Sequence, residues 1–231
     1  MEKPIIFSSA MINAILGNRK IQTRRIIKPQ PVYDEDSGYV YIGNVMFDIH
    51  DKWDIPMYLK DNARWEIGDI LWVKETFFAL GKWEKNGTTK TGKQKYRFRD
   101  LTKKMDREYM YLVNSDKPAE VETKKDGLIH WYKRPSIFMP RIASRIKLRV
   151  TNIRVERVQD ITDEDALAEG IEYKEWKNGP VVCSGYKDYT SEGCYCPAPR
   201  TSYYSLWTKI NGINSWQLNP WVWIIEFEII K

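Results

Sequence analysis

The chain has 231 residues, a formal charge of +6, 42% hydrophobic and 29% charged residues, the balance of an ordinary folded protein rather than a disordered or fibrous one. No stretch reaches the apolar length of a membrane span, the opening Met1-Glu2-Lys3-Pro4 lacks the regions of a signal peptide, and three cysteines make no even disulfide framework; a cytoplasmic protein is expected. A pI near 9.0, with ten Trp and fourteen Tyr, suits a polyanionic partner or a nucleotide-like ligand.

Residues 4–27 read as a short strand, a helix and a second strand. Met11, Ile12, Ala14, Ile15 and Leu16 are the apolar positions of the helix, and Gly17 or Asn18 supplies a left-handed C-cap. From Ile21 to Ile27 the residues alternate, so Thr23 and Arg25 share one strand face, with Lys20 at the turn beside Thr23. This run has two readings. It is a solvated basic strand after a surface helix, or a hydroxyl beside a proton-accepting amine, the minimum for a nucleophile and its base.

Residues 28–65 mix Pro, Asp, Tyr and Trp and read as an insertion of loops and small hairpins. Residues 66–78 place a Gly68-Asp69 turn before the apolar strand Ile70-Leu71-Trp72-Val73. A second insertion, 81–127, carries a short hairpin near Tyr96-Arg97-Phe98. The long strand 145–158 puts Ile146, Leu148 and Val150 on one face and then changes phase to Ile153 and Val155, which predicts a bulge or bend.

One helix is well signalled before the third insertion. Thr162 is its N-cap, Asp163, Glu164 and Asp165 favour the positive dipole end, Ile161 staples onto Ala166, and Gly170 stops it. Glu169 faces the negative end of that dipole, at a cost of about a few tenths of a kcal/mol. It is an exposed residue that tolerates the cost, or it is held for a partner elsewhere in the fold.

The third insertion, 172–202, holds Cys183, Cys194 and Cys196. Their C-x10-C-x-C spacing is atypical for zinc, and neither His50 nor His130 is placed beside them by the sequence, so they read as free thiols and no metal site is assigned. The closing strand runs from Trp221 to Ile229. Many strands, few helices and a bent long strand predict an α+β, mainly β chain, a small barrel with one or two flanking helices and long insertions in a single domain over 1–231, with core segments 4–27, 66–78, 145–171 and 220–231.

Four blocks, in order, resemble ASCH-domain proteins of the PUA-like superfamily. They are Ala14-Ile15-Leu16 to Arg25, Gly68-Asp69-Ile70-Leu71, Ile161-Thr162 to Gly170, and Trp223-Ile224-Ile225-Glu226-Phe227. Trp131 to Arg145 and Leu206-Trp207 to Trp223 are similar to the members encoded in bacteriophage and prophage genomes. The resemblance implies a PUA-like β-barrel and no cofactor. It also implies the site of the small N4-acetylcytidine amidohydrolases, with Thr23 as nucleophile, Lys20 as base and Glu169 as orienting or proton-shuttling group. The motif arginine falls on Arg25, and the motif glycine is Asn18 here, which tolerates the left-handed turn.

On this reading Arg25 and Arg24 bind the ligand, with Trp72 stacking on a base as an alternative to packing in the core. The substrate is a modified nucleoside or RNA. The alternatives are a non-catalytic module binding RNA or a modified base, an ASCH-type ribonuclease, and a phage-encoded protein whose insertions act on host machinery.

Overall fold

The computed structural model describes residues 1–47, 54–113, 117–178 and 181–230. In chain order the elements are β1 (Glu2–Ile6), α1 (Ser9–Leu16), β2 (Gln22–Ile26), β3 (Pro31–Asp34), β4 (Tyr39–Ile42), β5 (Val45–Phe47), α2 (Ile55–Asp61), β6 (Ile70–Lys74) and β7 (Phe77–Thr88). They continue as β8 (Gln94–Asp100), β9 (Met110–Tyr111), β10 (His130–Arg134), β11 (Lys147–Arg157), α3 (Asp163–Ala168), β12 (Tyr173–Asn178), β13 (Val181–Lys187), β14 (Tyr195–Cys196), α4 (Pro199–Asn211) and β15 (Trp221–Ile230). The chain is α+β and mainly strands, 40% strand and 22% helix, with several open sheets and no closed barrel among the described residues. None of the helices described is long and apolar enough to cross a membrane.

The chain divides into two compact units. The first gathers residue 1 with 14–70 and 148–230, and the second 2–13 with 71–147. The predicted core segments 4–27, 66–78 and 145–171 each contribute to both.

In the first unit β15 lies between β11 and β2, and β2 pairs antiparallel with β15 so that Gln22, Thr23, Arg24 and Arg25 face Glu226, Ile225, Ile224 and Trp223. Directly opposed residues share a face. The strand period therefore sets Val222, Ile224 and Arg24 on one side and Trp223, Ile225, Thr23 and Arg25 on the other. Both sides are covered. Val222 and Ile224 pack in a core with Val158, Tyr203 and Trp207, while Trp221 and Trp223 pack against Ile27, Val40, Ile55 and Leu59.

The expected closed barrel is not found among the described residues: β2 ends its row, and in the segment just before it the Ile21 amide donates to the Ala168 carbonyl at 2.9 Å and Lys20 forms an antiparallel bridge with Glu169, so that segment pairs with the end of α3 rather than with a further strand.

The helix signals hold locally. Asn18, at φ 54°, takes the left-handed cap of α1, and Gly170, at φ 90°, ends α3. The Asp165 amide donates to the Thr162 hydroxyl at 3.1 Å, and Ile161 and Ala166 are both buried in one core. Thr162→Ala is expected to cost about 1 kcal/mol, read as a lower urea midpoint with an unchanged denaturant slope. β11 buries Leu148 and Val150 and then Ile153 and Val155; where the phase changes, the Ile153 amide donates to the Asn152 side chain at 2.9 Å.

The first insertion is a sheet ordered β3-β4-β5 followed by α2, and the third is a sheet ordered β12-β13-β14. The expectation of one or two helices needs correction, because α4 carries no clear sequence signal. Its apolar positions are diluted by Thr, Ser and Lys, and its entry at Pro199 reads as loop.

In the second unit β7 lies between β10 and β8, with β9 also on β7. The predicted hairpin at Tyr96 is the β7–β8 pair, in which Trp83 faces Phe98 and Gly81 faces Asp100.

Candidate functional site

The turn after α1 and the end of α3 bring Lys20 and Glu169 together. The Lys20 amide donates to the Ala14 carbonyl at 3.1 Å, which fixes the turn, and its side-chain Nζ donates to Glu169 Oε2 at 2.6 Å and to the Glu169 carbonyl at 3.0 Å. Both residues are interior, Lys20 being 1% and Glu169 6% exposed. Of the two readings of Glu169, exposed or held for a distant partner, the second is the one found. Burial pulls the Lys20 ammonium below its ordinary pKa, while the Glu169 carboxylate pulls the other way.

Arg24 holds the other side of Glu169. Its Nη1 lies 3.4 Å from Glu169 Oε1, its Nη2 donates to Asp165 Oδ2 at 2.7 Å, and the guanidinium lies 5.8 Å from the centre of the Tyr203 ring. Arg154 extends the network, donating to Asp165 Oδ1 at 2.9 Å, Glu156 Oε1 at 2.6 Å and Glu226 Oε1 at 3.0 Å. Asp165 is held below the usual carboxylate range: burial raises it, and Arg24 and Arg154 outweigh the burial. Burial drives the Tyr203 phenol well above its ordinary value. Four cations, Lys20, Arg24, Arg25 and Arg154, thus share one region with four carboxylates, Glu156, Asp165, Glu169 and Glu226.

The other predicted site residues fall as follows. Thr23 is buried on β2, on the face opposite Arg24 by the strand period. Arg25 is half-buried, and its guanidinium feels the Glu169 carboxylate and Tyr203. Trp72 is half-buried on β6 in the second unit, with the Lys74 ammonium 5.5 Å and the Arg141 guanidinium 6.0 Å from its ring. Arg154, Glu156 and Tyr203 escaped the sequence reading. Arg154 and Glu156 do alternate along β11, a weak signal that becomes meaningful only beside Asp165.

A separate groove of about 1280 Å³ opens in the first unit. Its walls include Arg19, Leu167 and Ile171, chain neighbours of the Lys20–Glu169 pair, together with Tyr173, Lys174, Lys187, Tyr189, Tyr195 and Lys209. Lys20 and Glu169 do not line it. Cys194 is on the groove wall and exposed, Cys183 is half-buried and Cys196 buried, and all three are free thiols. Among the described residues no three of His, Cys, Asp and Glu are grouped to hold a metal ion; His50 lies outside those residues.

No protein-family model, no curated protein and no solved structure matches this chain.

Proposed function

We propose that the chain is a PUA-like protein of ASCH type that hydrolyses an amide or acyl bond on a modified nucleoside. The observation that supports this most is the buried contact of Lys20 with Glu169, two residues 149 positions apart that the motif pairs and that local structure gives no reason to join.

In the proposed reaction a neutral Lys20 Nζ takes the Thr23 hydroxyl proton as Oγ1 attacks the acyl carbonyl carbon. Arg25 stabilises the oxyanion. Collapse breaks the carbonyl–nitrogen bond, and Lys20 returns its proton to the leaving amine. Water then hydrolyses the Thr23 ester, releasing the carboxylic acid. Glu169 keeps Lys20 oriented throughout, and the pull of burial on Lys20 runs in the direction a base requires.

A second reading, a non-catalytic module that binds RNA or a modified base, is favoured by two observations. Thr23 and Arg24 lie on opposite faces of β2, and the groove sets Arg19, Lys174, Lys187 and Lys209 beside three tyrosines on which bases can stack, a small excess of positive charge over its carboxylates Glu172, Asp188 and Glu192.

Thr23→Val separates the two. Hydrolysis of N4-acetylcytidine is expected to fall at least about 100-fold while binding of a short RNA, followed by fluorescence anisotropy, stays unchanged. Wild-type protein that leaves acetylated cytidine and related acyl-nucleosides intact ends the hydrolase reading.

A further inference from the structure

The second unit carries a buried cation with no anion to meet it. On the sheet of β10, β7 and β8, the register places Tyr132 and Arg134 of β10, Gly81 and Trp83 of β7 and Phe98 of β8 on one face. Gly81 makes that face possible. A Cβ there would fall 2.6 Å from the Phe98 ring and 2.3 Å from the Arg99 carbonyl, so only glycine leaves Phe98 room to lean across the sheet.

The Arg134 guanidinium sits among the resulting rings, 4.3 Å from the centre of Phe98, 4.8 Å from Trp83 and 4.9 Å from Phe138. Arg134 is only 9% exposed. Yet among the described residues its guanidinium forms neither a salt bridge nor a hydrogen bond. Ring faces offset part of the desolvation of the charge, but they do not accept its five in-plane N–H donors as an oxygen does.

The nearest carboxylate that acts on it, Asp100, is already committed. It accepts the Thr102 amide at 2.9 Å, the Thr102 hydroxyl at 2.7 Å and the Tyr109 hydroxyl at 3.1 Å. A second cation adds to the local field: the exposed Lys125 ammonium lies 4.9 Å from the Trp83 ring centre and 5.0 Å from that of Tyr96. Phe138, 60% exposed, leaves an aromatic surface beside the guanidinium open to solvent.

We propose that Arg134, held rigid by Trp83, Phe98 and Phe138, is a receptor for a phosphate monoester, with Lys125 supplying additional positive field. An arginine with its fork unspent matches phosphate geometry, and caging by rings removes the conformational entropy that a surface arginine loses on binding. The site is independent of the reading of Lys20, because its test reads binding rather than turnover.

Calorimetry on the full chain with inorganic phosphate, cytidine 5′-monophosphate and cytidine tests the proposal. Phosphate and the nucleotide are expected to bind saturably, and cytidine to give no heat. Tighter binding of the nucleotide assigns the phosphate to a nucleotide source with its base on Phe138, and equal binding assigns the free ion. Arg134→Met is expected to weaken binding about tenfold or more. Lys125→Gln, a surface change that leaves the fold intact, is expected to weaken it by less and to flatten its salt dependence. Absence of binding by both phosphates, or equal binding by wild type and both variants, overturns the proposal.

Discussion

Glu169→Gln is expected to lower the free energy of unfolding by about 3–5 kcal/mol, because it leaves the buried Lys20 ammonium without its carboxylate. Lys20 is 1% exposed and cannot turn to water for compensation. A domain of ordinary stability has about 5–15 kcal/mol in total, so this one change removes about a fifth of it or more. The measurement is a pair of urea curves with equal slopes and different midpoints. The double substitution Lys20→Met with Glu169→Leu removes both charges of the pair and leaves Arg24 with Asp165 and Glu156, so it is expected to recover most of the lost stability, since apolar replacement of a buried pair is often neutral. A double variant as unstable as the single one would show that the pair itself, not the stranded charge, carries the effect.

The same variant has a signature in pH. Burial already sets the folded-state pKa of Lys20 below its ordinary value, and loss of Glu169 lowers it further. Between that lowered value and the unfolded value of about 10.4, the unfolded chain binds the extra proton, so stability rises with pH across the window. Glu169→Gln is therefore expected to recover part of its lost stability on the alkaline side, and the double variant, which has no lysine there, to recover none.

Gly170→Ala is the second large effect. Gly170 adopts φ 90°, and an added Cβ would fall 2.9 Å from the Cβ atoms of both Ala14 and Lys20. The left-handed backbone costs an alanine about 1–2 kcal/mol, and crowding of two side chains fixed by their own turns adds about 1–3 kcal/mol. At roughly 2–4 °C per kcal/mol for a chain of this size, the melting temperature falls visibly. Gly38→Ala is the control. Its φ is 72° with nothing within 4 Å of the added Cβ, so only the backbone part is expected. Equal losses in the two variants would remove crowding at Lys20 from the account.

Local signals carried much of the fold. The cap at Asn18, the start of α3 at Thr162, its stop at Gly170 and the phase change of β11 each follow from residues within a few positions of one another. The misfit of Glu169 in its helix was legible for the same reason, since a dipole acts over a single turn. What it was held for was not legible. The family resemblance makes Arg24 a ligand-binding cation, whereas its side chain is fully enclosed and paired with Asp165 and Glu169. Nothing in a strand's alternation reveals that both its faces are covered. α4 stays hidden in the sequence because its burial comes from Tyr203 and Trp207, set between polar residues that weaken the periodic signal.

Local conformation was written in the sequence: where α1 and α3 begin and stop, and which strands alternate. Which charges meet was settled by long-range packing. Lys20 and Glu169 stand 149 residues apart, and Arg24 and Asp165 141 apart. Their contact depends on the pairing of β2 with β15 and on the end of α3 pairing with the segment that leads into β2. Period and propensity act within a few residues, whereas the neutralisation of a buried charge depends on long-range register and on what excludes the water around it.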